Sequence, residues 1–129
     1  MREIKFRALT IANNIMVYGD LLCCNNGERR IMFDNSGTDI EDNIFDVQPS
    51  TVGQFTGLTD KNGVEIYEWD VINHRYSEKG KNDYIIWDKN IMSFCLNDMS
   101  YENWANDEWY NTLNLEILGN IYQNPELLK

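Results

Sequence analysis

The chain has 129 residues and a formal net charge of -10, from 21 acidic against 11 basic side chains. It is long enough to bury a core of its own and too acidic to offer the basic face that duplex DNA or an anionic membrane requires. With 43% apolar residues, four Trp, seven Tyr and five Phe it is too rich in core-forming side chains for a disordered segment.

"REIKFRALT" (2–10) alternates, with Ile4, Phe6 and Ala8 on one side and Glu3, Lys5 and Arg7 on the other, which predicts a strand with one face in water. "ANN" (12–14) marks a turn. "IMVYGDLLCC" (15–24) and "RRIMFD" (29–34) read as strands joined across "NNGE", because Asn-Gly supplies the positive φ angles of a tight hairpin. Residues 34–50 are polar and acidic, with room for one short strand at Ile44, Phe45 and Val47. Pro49-Ser50-Thr51 punctuates this loop and predicts a junction between an N-terminal β subdomain, 1–50, and a second one, 51–129.

"QFTGLT", "DKNG" and "VEIYEWDVI" (54–72) read as strand, turn and strand, with Asn62-Gly63 the strongest short-range hairpin signal and a bend or bulge expected at Trp69-Asp70. "SEKGKND" (77–83) is a further turn, and "YIIWD" and "IMSFCL" form a hairpin across "DKN". Residues 98–112 suit a helical turn or an aromatic-rich loop, since rough 3–4 spacing of rings competes with many Asn and Asp. "LNLEILGNIY" is the last strand, and "NPELLK" predicts a short terminal helix with Asn124 as N-cap and Pro125 in the first turn. The expected fold class is mainly β, built from short antiparallel strands in two small packed subdomains.

No chemistry-bearing motif stands out. Cys23, Cys24 and Cys95 have neither disulfide-framework nor zinc spacing, and His74 is the single histidine. At least one of Cys23 and Cys24 is expected to be buried, since neighbours on a strand point to opposite faces. The acidic loop lacks EF-hand spacing, no phosphate loop is present, and no carboxylate pair sits beside an apolar pocket signal. These absences predict a non-enzymatic protein with no cofactor and no metal. The start "MREIKFRAL" has no apolar signal-peptide region and no run approaches membrane-spanning length, so a cytoplasmic location is expected.

"MREIKFRA" (1–8), "VGQFTGLTDKNGVEIYEWDVI" (52–72) and "LEILGNIYQNPELL" (115–128) resemble, in the same order, the YopX family of phage and prophage proteins. The middle segment is also similar to the entry strand of SH3-like barrels, with their "I-Y-E-G-D" strand. The resemblance implies a phage origin, a bacterial host cytosol and an SH3-like barrel at 51–129, and it implies no catalytic residues. Gly53, Gly57, Asn62, Gly63 and Asp70 then belong to a fold signature. Two positions depart from the family pattern: Trp69 replaces the glycine before Asp70, and Leu9 replaces a tryptophan after "FRA".

The surplus of rings favours binding. The first expectation is an accessory protein that counters host defence by sequestering a nucleotide-derived signal as a homo-oligomer. Its candidate contacts are Trp69, His74 and Arg75, with Arg29 and Arg30 as phosphate partners. The second is an acidic adaptor that docks a basic site on a host or phage protein, whose binding would weaken as salt rises.

Overall fold

The structure, a computed structural model, describes residues 3–33, 43–73, 82–97 and 114–128. It is mainly β: among the described residues ten strands are arranged in two antiparallel sheets, and the helical content is confined to short 3-10 segments. Neither sheet closes into a barrel. The predicted region 98–112 and residues 77–81 of the turn predicted at 77–83 lie outside the described residues. The chain divides into two compact units, Met1–Phe55 and Thr56–Lys129.

In the first unit, β1 (Phe6–Leu9) pairs with β2 (Met16–Cys23), β2 with β3 (Arg29–Met32), and β3 with β4 (Ile44–Val47). The other side of β1 takes the start of β5 (Gly53–Thr59), with Phe6 opposite Gln54 and Arg7 opposite Gly53. β1 is therefore a central strand, and the expectation of a water-washed charged face fails there. Arg7 is 6% exposed, whereas Ile4, assigned to the inner face, lies before the strand and is 63% exposed. Alternation in the sequence marks two faces, but it does not say whether the fold leaves the second of them open to water. The core holds Ala8, Ile31 and Val47, with Phe6, Val17, Leu21, Phe45 and Val52 packed against it. Cys23 is exposed and Cys24 half-buried, so neither is the buried thiol expected; β2 ends at Cys23, beyond the core.

The second unit starts within β5, whose later residues lie beside β6 (Glu65–Tyr67). Its four-stranded sheet has the order β10-β7-β8-β9, formed by β7 (Asp70–Asn73), β8 (Asp83–Asp88), β9 (Ser93–Leu96) and β10 (Glu116–Asn120). Ile66, Ile72, Ile85, Phe94, Cys95, Leu96 and Leu115 form one buried cluster. Full burial of each large aliphatic chain contributes about 1.5–3 kcal/mol. Burial, followed by the charges of Asp88 and Asp83, pushes the Cys95 thiol up to about 11, so it sits there as a small apolar group.

The turn after β5 is built as its sequence predicts. Gly63 adopts a φ of +82° and donates its N–H to the carbonyl of Asp60 at 3.0 Å. Asp60 does more than open the turn. Its Oδ1 accepts the N–H groups of Asn62 and Val64, both at 2.9 Å, and its Oδ2 accepts that of Ile117 at 3.1 Å, so one buried carboxylate joins the hairpin to β10. Beside it, the Lys61 N–H donates to the Leu115 carbonyl at 2.9 Å. The stretch "VEIYEWDVI" is two strands, β6 and β7, separated by a turn at Glu68 and Trp69. The buried Asp70 carboxylate closes that turn by accepting the Tyr67 N–H at 2.8 Å. The chain ends in a 3-10 turn, Pro125–Leu128, whose Leu127 carbonyl accepts Asn82 Nδ2 at 2.9 Å.

Candidate functional site

A concave surface among the described residues lies in the first unit, with a volume of about 590 Å³. One wall comes from the segment between β1 and β2, with Thr10, Ile11 and Ile15, and from Val17 at the start of β2. The other comes from β4, with Ile44, Phe45 and Asp46.

Local hydrogen bonds fix both walls. Thr10 donates its N–H to the Ile15 carbonyl at 2.9 Å, and its hydroxyl oxygen accepts the Ile15 N–H at 3.1 Å. The Thr10 carbonyl accepts the N–H of Asn14, which takes a left-handed φ of +54°, and also accepts Gln48 Nε2 at 3.1 Å. The turn signal in "ANN" is thus a tight loop stapled to its own first residue. It is also tied to the opposite wall, because the Ile11 N–H donates to the Asp46 carbonyl at 3.0 Å and Thr10 bridges Val47. Phe45 stacks on Phe33 with ring centroids 5.7 Å apart and planes 9° apart, so its ring is held in place. Ile11 and Ile15 remain 61% and 53% exposed. An apolar cleft with rigid walls and few polar groups suits a ring-bearing small molecule.

The residues expected to bind a ligand fall in different places. Arg29 and Arg30 lie on β3 in the first unit. Arg29 donates Nη1 to the Glu28 carbonyl at 3.0 Å. Arg30 donates Nε to Asp46 Oδ1 at 2.8 Å and has Glu28 Oε2 at 3.6 Å from Nη2. The hydrogen bond to Asp46, and then its charge, hold the guanidinium above its ordinary pKa. Arg30 therefore sits in an exposed cross-strand pair with Asp46, with acidic groups on two of its nitrogens. His74 and Arg75 lie outside the described residues.

Trp69 belongs to the second unit, at the turn between β6 and β7. It takes a φ of +74°, the conformation a type II turn normally gives to glycine, at the position where the family resemblance places one. Backbone bonds on both sides hold it: its N–H donates to Ile85 and its carbonyl accepts from Ile121, each at 2.9 Å. The half-buried indole meets Tyr122 edge-on at 6.1 Å. Burial, and then the charge of Glu68, push the Tyr122 phenol up, so it stays protonated at neutral pH. Removing the ring while keeping a Cβ retains the strain and loses the ring pair. Trp69→Ala is expected to be less stable than Trp69→Gly by about 1 kcal/mol in denaturant titrations, the reverse of the usual order of the two residues.

The sequence did not mark the cleft. Its walls come from residues 10–17 and 44–46, too far apart to be joined by inspection. The available signal was the pair of isoleucines flanking "ANN", apolar residues beside a turn with no strand to place them inside. Among the described residues, no group of three or more His, Cys, Asp or Glu side chains is placed to hold a metal, and no helix is long and apolar enough to cross a membrane.

Fold and cleft together define a mainly β, two-unit protein with a preformed apolar site in its N-terminal unit. The YopX protein family profile matches residues 5–129, and the chain belongs to that family. Its fold is similar to the crystal structure of protein EF1440 from Enterococcus faecalis, with a TM-score of 0.62, 22% identity and 100% of both chains covered. It is also similar to protein yopX from Bacillus subtilis, with a TM-score of 0.52, 19% identity, and 97% of this chain and 95% of that one covered. No curated protein matches the chain.

Proposed function

We propose that this chain is a phage- or prophage-encoded accessory protein without catalytic activity, which counters host defence by sequestering a nucleotide-derived small molecule as a homo-oligomer. The observation that carries the reading is the 590 Å³ cleft between the 10–17 segment and β4, whose volume lies in the range of small-molecule sites. A planar base would lie against Phe45 and the isoleucines, and walls fixed before binding lower the ordering cost. Sequestration asks only for affinity, which suits a site lined by apolar groups. The same reading takes the second unit as an open relative of SH3-like barrels, on the strength of its hairpin and the resemblance of its "I-Y-E-x-D" strand.

The test is native mass spectrometry on protein recovered from phage-infected bacteria, with Ile15→Glu as the control. Ile15 is exposed and on the cleft wall, so the added carboxylate should occupy the site without unfolding the unit. A nucleotide-sized mass on the wild type, lost in Ile15→Glu at unchanged melting temperature, supports the proposal. A bare protein that instead holds a host protein, released as salt rises, replaces it with the adaptor reading.

A further inference from the structure

At Trp69 the fold accepts a left-handed φ of +74° with a large side chain, where glycine would be unstrained. What the strained turn gains is a ring in a fixed place. The indole and the Tyr122 ring stand almost perpendicular, with planes 79° apart and centroids 6.1 Å apart. Both side chains are half-buried, so each keeps part of its surface in water. Their backbones are tied down as well. Trp69 bonds to Ile85 and Ile121, while the Tyr122 N–H donates to Asn120 Oδ1 at 3.1 Å, and Asn120 Nδ2 donates to Gln123 Oε1 at 2.8 Å. Glu68, next to Trp69 in the turn, lies close enough for its charge to act on the Tyr122 phenol. Two fixed rings near a right angle, with a carboxylate beside them, make a corner of negative potential, because the faces of aromatic rings are themselves negative.

We propose that Trp69, Tyr122 and Glu68 form a docking corner for an arginine side chain of a basic partner protein. A guanidinium is planar, stacks on an aromatic face and pairs with a carboxylate through its fork of N–H donors, so the three groups match it in shape as well as in charge. A lysine ammonium would bring the charge without the plane or the fork. The net charge of -10 draws basic segments toward the whole chain, which speeds encounter without choosing a residue. The corner supplies the choice. Trp, Tyr and Arg are also the side chains that dominate the energetics of protein interfaces. The corner belongs to the second unit and stands whether or not the cleft of the first takes a nucleotide.

The experiment is calorimetric titration of the full chain with the peptide Gly-Arg-Gly-Arg-Gly at physiological salt, beside the same peptide carrying citrulline, the neutral isostere, or lysine. The arginine peptide is expected to bind most tightly. Trp69→Gly removes the ring, leaves the net charge unchanged and suits the positive φ, and it should weaken arginine binding about fivefold. Glu68→Gln should also weaken it several-fold. Glu3→Gln makes the same change in net charge at an exposed residue of the first unit and should stay within about twofold of the wild type. Unchanged far-ultraviolet circular dichroism establishes that the variants are folded, and Glu68→Gln carries the test if Trp69→Gly is not. Arginine binding that survives Trp69→Gly, or that falls equally in Glu68→Gln and Glu3→Gln, overturns the proposal, because a diffuse acidic surface then accounts for it. A wild type that does not bind the arginine peptide, or binds it no better than the citrulline or lysine one, overturns it too.

Discussion

Gly19→Ala is expected to unfold the first unit or to destabilise it by about 3 kcal/mol, at the upper end of what overpacking and backbone strain cost. Gly19 lies in the middle of β2 with a φ of +156°, opposite Phe6 of β1. A Cβ placed there would fall inside 3.0 Å of the Met32 carbonyl oxygen. That oxygen belongs to β3 backbone, so it cannot rotate away as a flexible side chain would. The clash is relieved only by pulling β3 off β2, which breaks the register from Asp20–Met32 to Cys23–Arg29 and uncovers Ile31. Chemical denaturation of Gly19→Ala beside Gly27→Ala separates the causes. Gly27 has a φ of +91°, but nothing lies within 4 Å of where its Cβ would stand, so it reports strain alone and should lose about 1 kcal/mol. Equal losses in the two variants would mean that the contact with Met32 carries no weight.

The second large effect is expected at Asp60. Replacing it with Ala removes an acceptor shared by the N–H groups of Asn62, Val64 and Ile117, and leaves part of that set without partners where water is scarce. Hydrogen bonds to a charged acceptor contribute about 1.5–3 kcal/mol each and are not additive within one network, so a loss of about 3 kcal/mol is expected. The carboxylate also makes stability depend on pH. Burial opposes its ionisation, but the N–H groups of Ile117, Val64 and Asn62, together with Lys61, outweigh burial and hold its pKa below the ordinary carboxylate value. A depressed pKa means that the folded state binds the proton less tightly than the unfolded chain. The contribution is therefore complete above the ordinary carboxylate pKa and is lost as pH falls through the lower, folded value. Thermal melts from pH 7 to pH 2 should show a steeper acid loss in the wild type than in Asp60→Asn. Parallel curves would show that the carboxylate is not what ties the hairpin to β10. The nearby Lys61–Glu116 pair at 3.2 Å is exposed and should contribute about 0–1 kcal/mol.

Much of the fold was legible because short strands with turn residues between them leave strong local signals. Asn26-Gly27 and Asn62-Gly63 mark hairpins by dihedral requirement alone, and the structure has turns at both. The misreadings came from long-range pairing. Arg7 alternates like a surface residue but is 6% exposed, because alternation marks two faces and not which of them the fold covers. Trp69-Asp70 read as a bend or bulge within one strand, whereas a full turn forms at Glu68 and Trp69, because the non-glycine at Trp69 hides the positive φ that a glycine would have advertised. Gly19 carries no local signal of its role, because the close approach of β3 is set by residues 13 positions later. The cleft was illegible for the same reason: each of its walls looks ordinary until β4 returns to the end of β1.

Asp60 and Ile117 meet across 57 residues, and that separation bears on how the polypeptide acquires its shape. Contacts distant along the chain carry a larger closure entropy and slow the search for the native state. The first unit is complete once Phe55 is in place, so it has all its pairing partners early in ribosomal synthesis. The second must wait for β10: Leu115 is part of its buried cluster, and the edge of β7 stays open until Glu116–Asn120 emerge. During that interval an unpaired β7 with the apolar pair Val71-Ile72 is a site for misassociation between nascent chains.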